Sequence, residues 1–222
     1  MSQPLRSERR TVLLLVASVM LMAAGATALF ASGPVSRAVT AALKAERPVE
    51  IRPVLPARSL IDFSLTERSG RTVTAAELAG NYVVVHLLFT GCSAGCSLLG
   101  ERMAEVQRAT AGMKDVKLLS VTVDPRTDTP AVLAKYANGL AADTDRWLFL
   151  TGAKPDVYRL IETSFIRPDE SKGPIIPDSF PDTDRLYLVE PSGLVPVSFD
   201  GMHRRVSGAI VAEIERRRKD AH

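Results

Sequence analysis

The stretch FTGCSAGC, residues 89–96, contains both cysteines of the 222-residue chain, Cys92 and Cys96, with three residues between them. It follows the apolar run YVVVHLL and precedes apolar residues that recur at helical spacing. The pattern predicts that a buried strand leads into a helix at the two thiols. Positions one helical turn apart have Cα atoms about 6 Å apart, within reach of a disulfide.

The chemistry of such a site can be redox or metal binding. The amino terminus of a helix favours the thiolate, which is the nucleophile of disulfide exchange and a soft ligand for Cu(I) or Zn²⁺. A purely structural pair is the third reading. It is less favoured, because a disulfide that closes so short a loop stabilises a fold little. The residues alone leave a redox pair, a metal clamp and a structural pair open.

The amino-terminal residues predict a membrane segment. Residues 1–10 carry three arginines, and residues 11–32 contain no charged side chain. That length suits a helix across the ~30 Å apolar core of a bilayer. The positive-inside rule then keeps residues 1–10 in the cytoplasm. A cleaved signal peptide, with ATA at 26–28 as the cleavage site, is the alternative. Both place the remaining chain outside the cytosol, in the periplasm of a bacterium, where disulfides persist.

The rest of the chain predicts one domain behind a tether. Residues 33–58 contain four prolines, which favours a tether. From residue 59 to 222, strand and helix patterns alternate, then a hairpin around EPSG precedes a final helix. This order predicts an α/β fold, a thioredoxin-like mixed sheet flanked by helices. The net charge of +3 comes without interleaved basic and aromatic residues, so nucleic acid is not an expected partner.

Three blocks of sequence resemble the SCO/SenC family of membrane-anchored copper proteins. The blocks lie within residues 59–215 and read DFSLTERSGRTVTAAELAGNYVVVHLLFTGCSAGC, SVTVDPRTDTPAVLAKYA and LYLVEPSG. The resemblance implies a thioredoxin-like domain that binds copper through two cysteines and a histidine. It implies Cys92 and Cys96 as the metal-binding and redox pair. It also implies a role in delivering copper to the dinuclear copper site of cytochrome c oxidase, or in reducing the cysteines of that site.

The family's histidine has no counterpart at its usual place. That histidine lies nine residues before the proline of the late hairpin, and the same count from Pro191 reaches Asp182. Its position makes Asp182 a candidate third ligand. Because a carboxylate is a hard ligand and matches Cu(I) poorly, Met202, His203 or a group from a partner are kept as alternatives. The expected partner is the copper subunit of a respiratory oxidase or another extracytoplasmic copper or thiol protein.

Four further polar residues are expected to lie outside the site. His86 falls within the apolar run before the cysteines, which predicts a hydrogen-bonded core residue. His222 ends the chain. Asp124 and Asp128 could form an acid pair, but their positions predict the end of a strand and, with Thr129, the cap of the next helix.

Two functions of different classes follow. The first is a copper-binding assembly factor for a respiratory oxidase. The alternative is an extracytoplasmic thiol–disulfide oxidoreductase that holds no stable copper. A non-catalytic relative, which binds a partner or senses redox state, is a third and weaker reading.

Overall fold

The computed structural model describes residues 47–91, 94–166 and 184–220. In these ranges the chain forms eight strands and four α-helices. The strands are β1 Ile51–Ser59, β2 Ser64–Glu67, β3 Thr72–Thr74, β4 Tyr82–Leu88, β5 Val116–Thr122, β6 Trp147–Thr151, β7 Arg185–Val189 and β8 Leu194–Asp200. The helices are α1 Ala94–Ala109, α2 Pro130–Gly139, α3 Lys154–Ser164 and α4 Val206–Asp220.

The described strands form a single mixed sheet in the order β1-β8-β7-β4-β5-β6-β2-β3. The three central strands β4, β5 and β6 are parallel, whereas β7 pairs with β4 in the antiparallel sense. Every residue of β4 is buried. The continuous apolar run of β4 fits this position, because a strand covered on both faces needs apolar residues throughout.

Helices cover both faces of the sheet. The helices α1, α2 and α4 bury apolar side chains against one face, among them Met103, Leu133 and Ile210. The opposite face packs against α3 through Val157, Leu160 and Ile161. The predicted α/β class, with a mixed sheet between helices, is therefore confirmed for the described residues.

The boundary of the tether is a correction. Residues 51–58 were predicted as the end of the tether, but they belong to β1, which pairs antiparallel with β8 at the edge of the sheet. Its register is interrupted between Pro53 and Arg58. Proline is compatible with an edge strand, because one side of that strand needs no ladder hydrogen bonds. The chain from Val49 onward forms one compact unit.

The predicted membrane segment, residues 11–32, lies outside the described residues, as do residues 1–10 and 33–46. Within the part that the structure describes, no helix has the length and apolar character needed to cross a membrane.

Candidate functional site

The cysteine stretch lies at the carboxyl end of β4. Residues 89–91 leave this strand, and α1 begins at Ala94, two residues after Cys92. Cys96 is therefore in the first turn of α1. Cys92 itself and the side chain of Cys96 lie outside the described part of the structure. The predicted junction between a buried strand and a helix is confirmed, and this is where unpaired helical N–H groups favour a thiolate.

A hydrogen-bond network joins the stretch before Cys92 to the end of the neighbouring strand. The Thr90 hydroxyl donates to Asp128 Oδ1, and the Thr90 backbone N–H donates to Asp128 Oδ2 over 3.3 Å. The Thr122 hydroxyl, at the end of β5, donates to the same Oδ2 over 2.5 Å. Asp128 is fully buried. One carboxylate thus holds two loops together at the edge where the parallel strands β4 and β5 end.

The predicted role of Asp128 as a helix cap is a second correction. Thr129 alone caps α2, because its Oγ1 accepts a hydrogen bond from Val132 N over 3.4 Å. Asp128 points to Thr90 instead. Asp124 was predicted to end a strand, but β5 ends at Thr122 and Asp124 lies two residues beyond it, with its Oδ1 accepting from Arg126 N over 3.3 Å. One signal in the sequence could have indicated the contact between Thr90 and Asp128. Thr90 follows β4 and Asp128 follows β5, and neighbouring parallel strands end at the same edge of a sheet.

His86 is buried in the core, as expected. The side chain is 1% exposed, and its Nδ1 lies 3.4 Å from Ser120 Oγ, which accepts a hydrogen bond from Trp147 Nε1 over 3.0 Å. Burial lowers the His86 pKa to about 4, so the imidazole is neutral at physiological pH. Its Nε2 is buried and has no hydrogen-bond partner among the described residues.

Met202 and His203 lie in the turn between β8 and α4. The Gly201 N–H donates to the Asp184 carbonyl over 2.9 Å. An added Cβ on Gly201 would stand 2.5 Å from Leu99 Cδ2, so this turn packs directly against α1. Nδ1 of His203 accepts from Arg205 N over 3.1 Å, so a metal would have to bind at Nε2. Met202 is 37% exposed.

The remaining candidate ligand, Asp182, lies outside the described residues, as does His222. Across residues 47–91, 94–166 and 184–220, no group of three or more histidine, cysteine, aspartate or glutamate side chains could hold a metal ion.

An open groove lies beside Thr90. It has a volume of about 420 Å³ and is lined by Thr90, Glu101, Val132, Lys135, Tyr136, Gly139 and Leu140. The pKa of Tyr136 is raised, first by burial and then by the negative charges of Asp128 and Glu101. The groove therefore combines apolar side chains with one carboxylate, Glu101, and one amine, Lys135, near the cysteine stretch.

A family model described as SCO1/SenC matches residues 54–217, nearly the whole of the folded unit. The chain belongs to the SCO1/SenC family. One relative is the protein named SCO1 protein homologue of Bacillus subtilis (strain 168). It is 26% identical over 158 residues, which cover 69% of this chain and 79% of that protein. Mitochondrial SCO2 homologues also match, and this chain spans about half of their length.

Solved SCO structures share the fold. One is BsSco, a member of the Sco family of cytochrome c oxidase assembly proteins in which a disulfide switch was identified. It has a TM-score of 0.59 and 24% identity, over 74% of this chain and 94% of that one. Another is ScoI of Bradyrhizobium japonicum with copper bound, with a TM-score of 0.56 and 23% identity, over 72% of this chain and 99% of that one. These likenesses establish a thioredoxin-like SCO fold.

Proposed function

We propose that this protein is a copper-binding assembly factor that helps deliver copper to, or mature, the copper site of a respiratory cytochrome c oxidase. Copper is the cargo, and Cys92 and Cys96 are its ligands and the redox pair. Membership of the SCO1/SenC family supports the role. So does the assignment of BsSco to oxidase assembly and the copper held by the Bradyrhizobium ScoI, both of which have this fold.

The observation that carries the proposal is the place of the cysteine stretch. It links β4, a strand in which every residue is buried, to the first turn of α1, so its two ends are anchored by the core. Two thiolates at a helix amino terminus are soft ligands, which suits Cu(I). A cargo ion must also be released, and a site with few protein ligands is compatible with transfer to a partner.

The identity of the third copper ligand is the next question, and four candidates are available in this chain or its partner. Asp182 stands where the family's histidine is expected, and a carboxylate is a weak ligand for Cu(I). Met202 offers a soft thioether and His203 an imidazole nitrogen, both in the turn that packs on α1. A group of the acceptor protein is the remaining choice.

We place the folded domain outside the cytosol, in the periplasm of a bacterium, and anchored by residues 11–32. The support is the uncharged amino-terminal stretch behind three arginines. The oxidase copper subunit, or another extracytoplasmic copper or thiol protein, is the proposed partner at that side of the membrane.

The second candidate function is an extracytoplasmic thiol–disulfide oxidoreductase. The loss of the family's histidine at position 182, with both thiols kept, favours it. In that reaction the Cys92 and Cys96 dithiol loses two electrons and two protons as its S–S bond forms. The S–S bond of the partner breaks and its two sulfurs become thiols. An external thiol reductant then regenerates the dithiol.

The Cu(I) affinities of variants at position 182 distinguish the copper-binding function from the oxidoreductase function. We expect Asp182→His to raise Cu(I) affinity, since it supplies the softer ligand, and Asp182→Ala to change it little if Met202 or His203 binds. Met202→Leu and His203→Ala, measured in the same titration, identify the ligand that is used. A chain that takes up no Cu(I) but forms a reversible disulfide in a glutathione titration would support the oxidoreductase instead.

A further inference from the structure

The carboxylate of Asp128 has an unusual environment. It is fully buried, and the described groups that bond it are two hydroxyls and a backbone N–H rather than a cation. A buried carboxylate costs free energy unless hydrogen bonds compensate it. Its position therefore needs an explanation in terms of what these bonds hold.

Stability of the helix α2 does not supply that explanation. Thr129 already caps α2 with its own side chain, and Pro130 starts the helix with a preset backbone angle. The bonds of Asp128 run instead to Thr90 and Thr122, which are 38 and 6 residues away in sequence. A carboxylate has two acceptor oxygens, so it can hold both hydroxyls at once.

The geometry points to Asp128 as a positioning residue that holds Thr90, in the stretch leading into Cys92, against the end of β5. Thr90 is the link, because it lies two residues before Cys92 and uses both its hydroxyl and its N–H on Asp128. The inference rests on the proposed function of Cys92 and Cys96. Copper binding and disulfide formation both require the two sulfurs together, so a loosened loop should weaken both.

The test uses two single variants of the full chain. Asp128→Asn keeps the size of the side chain but loses one acceptor oxygen, and Thr90→Val keeps the branched shape but loses the hydroxyl. We expect each to raise the dissociation constant for Cu(I) about 10- to 100-fold, the effect typical of groups that orient metal ligands. The equilibrium constant for Cys92–Cys96 disulfide formation against glutathione should fall in parallel, which is a readout that needs no metal.

The double variant and a neighbouring control make the test specific. If Asp128 acts through Thr90, the effects of the two substitutions will not add in the double variant. Thr129→Ala removes the true cap of the same helix, so it should lower stability and leave both equilibria unchanged.

The inference would be overturned if Thr129→Ala weakened Cu(I) binding and disulfide formation as much as Asp128→Asn does. It would also be overturned if Thr90→Val left both equilibrium constants unchanged. Should Asp128→Asn fail to fold, Thr90→Val alone decides. A parent chain that neither binds Cu(I) nor forms the disulfide would instead contradict the proposed function.

Discussion

At the scale of single residues, the buried polar side chains of the core include the titratable imidazole of His86. His86, Ser120 and Trp147 form a connected buried set behind the cysteine stretch. The imidazole is held neutral, because burial disfavours the charged form. The free energy of unfolding of the domain therefore depends on pH through this group.

We predict that His86 makes the fold sensitive to mild acid. Its pKa falls from 6.5 in the unfolded chain to about 4 in the fold, so between these values the unfolded chain binds more protons. The stabilisation is fully present above pH 6.5 and is lost as the pH falls toward 4. Integrated over this window, the loss is about 3 kcal/mol. Urea unfolding at pH 7.0 and pH 5.0 measures the part that is lost between these two values, about 2 kcal/mol.

The variant His86→Leu should remove most of this loss, since leucine carries no titrating group. His203→Leu changes a histidine in a surface turn and is the matched control. It should keep the acid sensitivity of the parent. An unchanged pH dependence in His86→Leu would show that other groups cause the acid loss.

The site was partly readable at this scale. The burial of His86 followed from its place in an apolar run, and the junction at Cys92 and Cys96 followed from a change of hydrophobic period. The bond between Thr90 and Asp128 could not be read in the same way, because the residues are 38 positions apart and no local pattern links them. Only the pairing of β4 with β5 brings them together.

At the scale of elements, α1 and α2 approach closely beside the cysteine stretch. Gly100 of α1 faces Tyr136 of α2, and a Cβ at this position would overlap the Tyr136 hydroxyl and stand 3.1 Å from Leu140 Cδ1. Tyr136 also packs edge-on to Phe149, with ring centroids 6.3 Å apart. The glycine thus permits the close packing of two helices that border the groove.

We predict opposite effects for two helical glycines. Alanine normally stabilises a helix by about 1 kcal/mol over glycine. At Gly100 the overlap with Tyr136 should outweigh this gain, so that Gly100→Ala lowers the free energy of unfolding by about 1 kcal/mol. At Gly208 of α4 an added Cβ meets no atom within 4 Å, so Gly208→Ala should stabilise by about 0.5–1 kcal/mol.

Urea unfolding of the two variants beside the parent is the measurement. Equal stabilisation by both substitutions would mean that Tyr136 moves aside without loss, and the tight approach of α1 and α2 would then have no energetic consequence.

Most elements were predictable because their patterns are local. Thr129 and Pro130 marked the start of α2, and the EPSG turn marked the hairpin of β7 and β8. The strand β1 was missed, because its two prolines belong to the proline-containing stretch 33–58 that was interpreted as a tether. Its strand conformation comes from pairing with β8, which is a property of the sheet rather than of the segment.

At the scale of the whole molecule, topology assembles the site. The parallel strands β4 and β5 end at the same sheet edge, and there the cysteine stretch meets the loop of Asp128. The order of strands and helices predicted the fold class. The family blocks predicted the SCO1/SenC membership that the family model confirms. The third ligand stays a prediction, because Asp182 lies outside the described residues.

We predict that the full chain is a membrane protein with its thiols outside the cytosol. After carbonate washing of bacterial membranes, the chain should stay with the membrane. A maleimide that cannot cross membranes should label Cys92 and Cys96 in intact spheroplasts. The variant with both cysteines changed to serine is the control and should take no label. Labelling only after lysis would contradict the proposed orientation.

The most direct measurement of the central claim is a competition titration of the reduced, purified chain with Cu(I) and a chromogenic chelator. The account predicts one tightly held Cu(I) per chain and its loss in the Cys92→Ser, Cys96→Ser variant. Equal copper uptake by the parent and the double-serine variant, or no uptake by either, would contradict it.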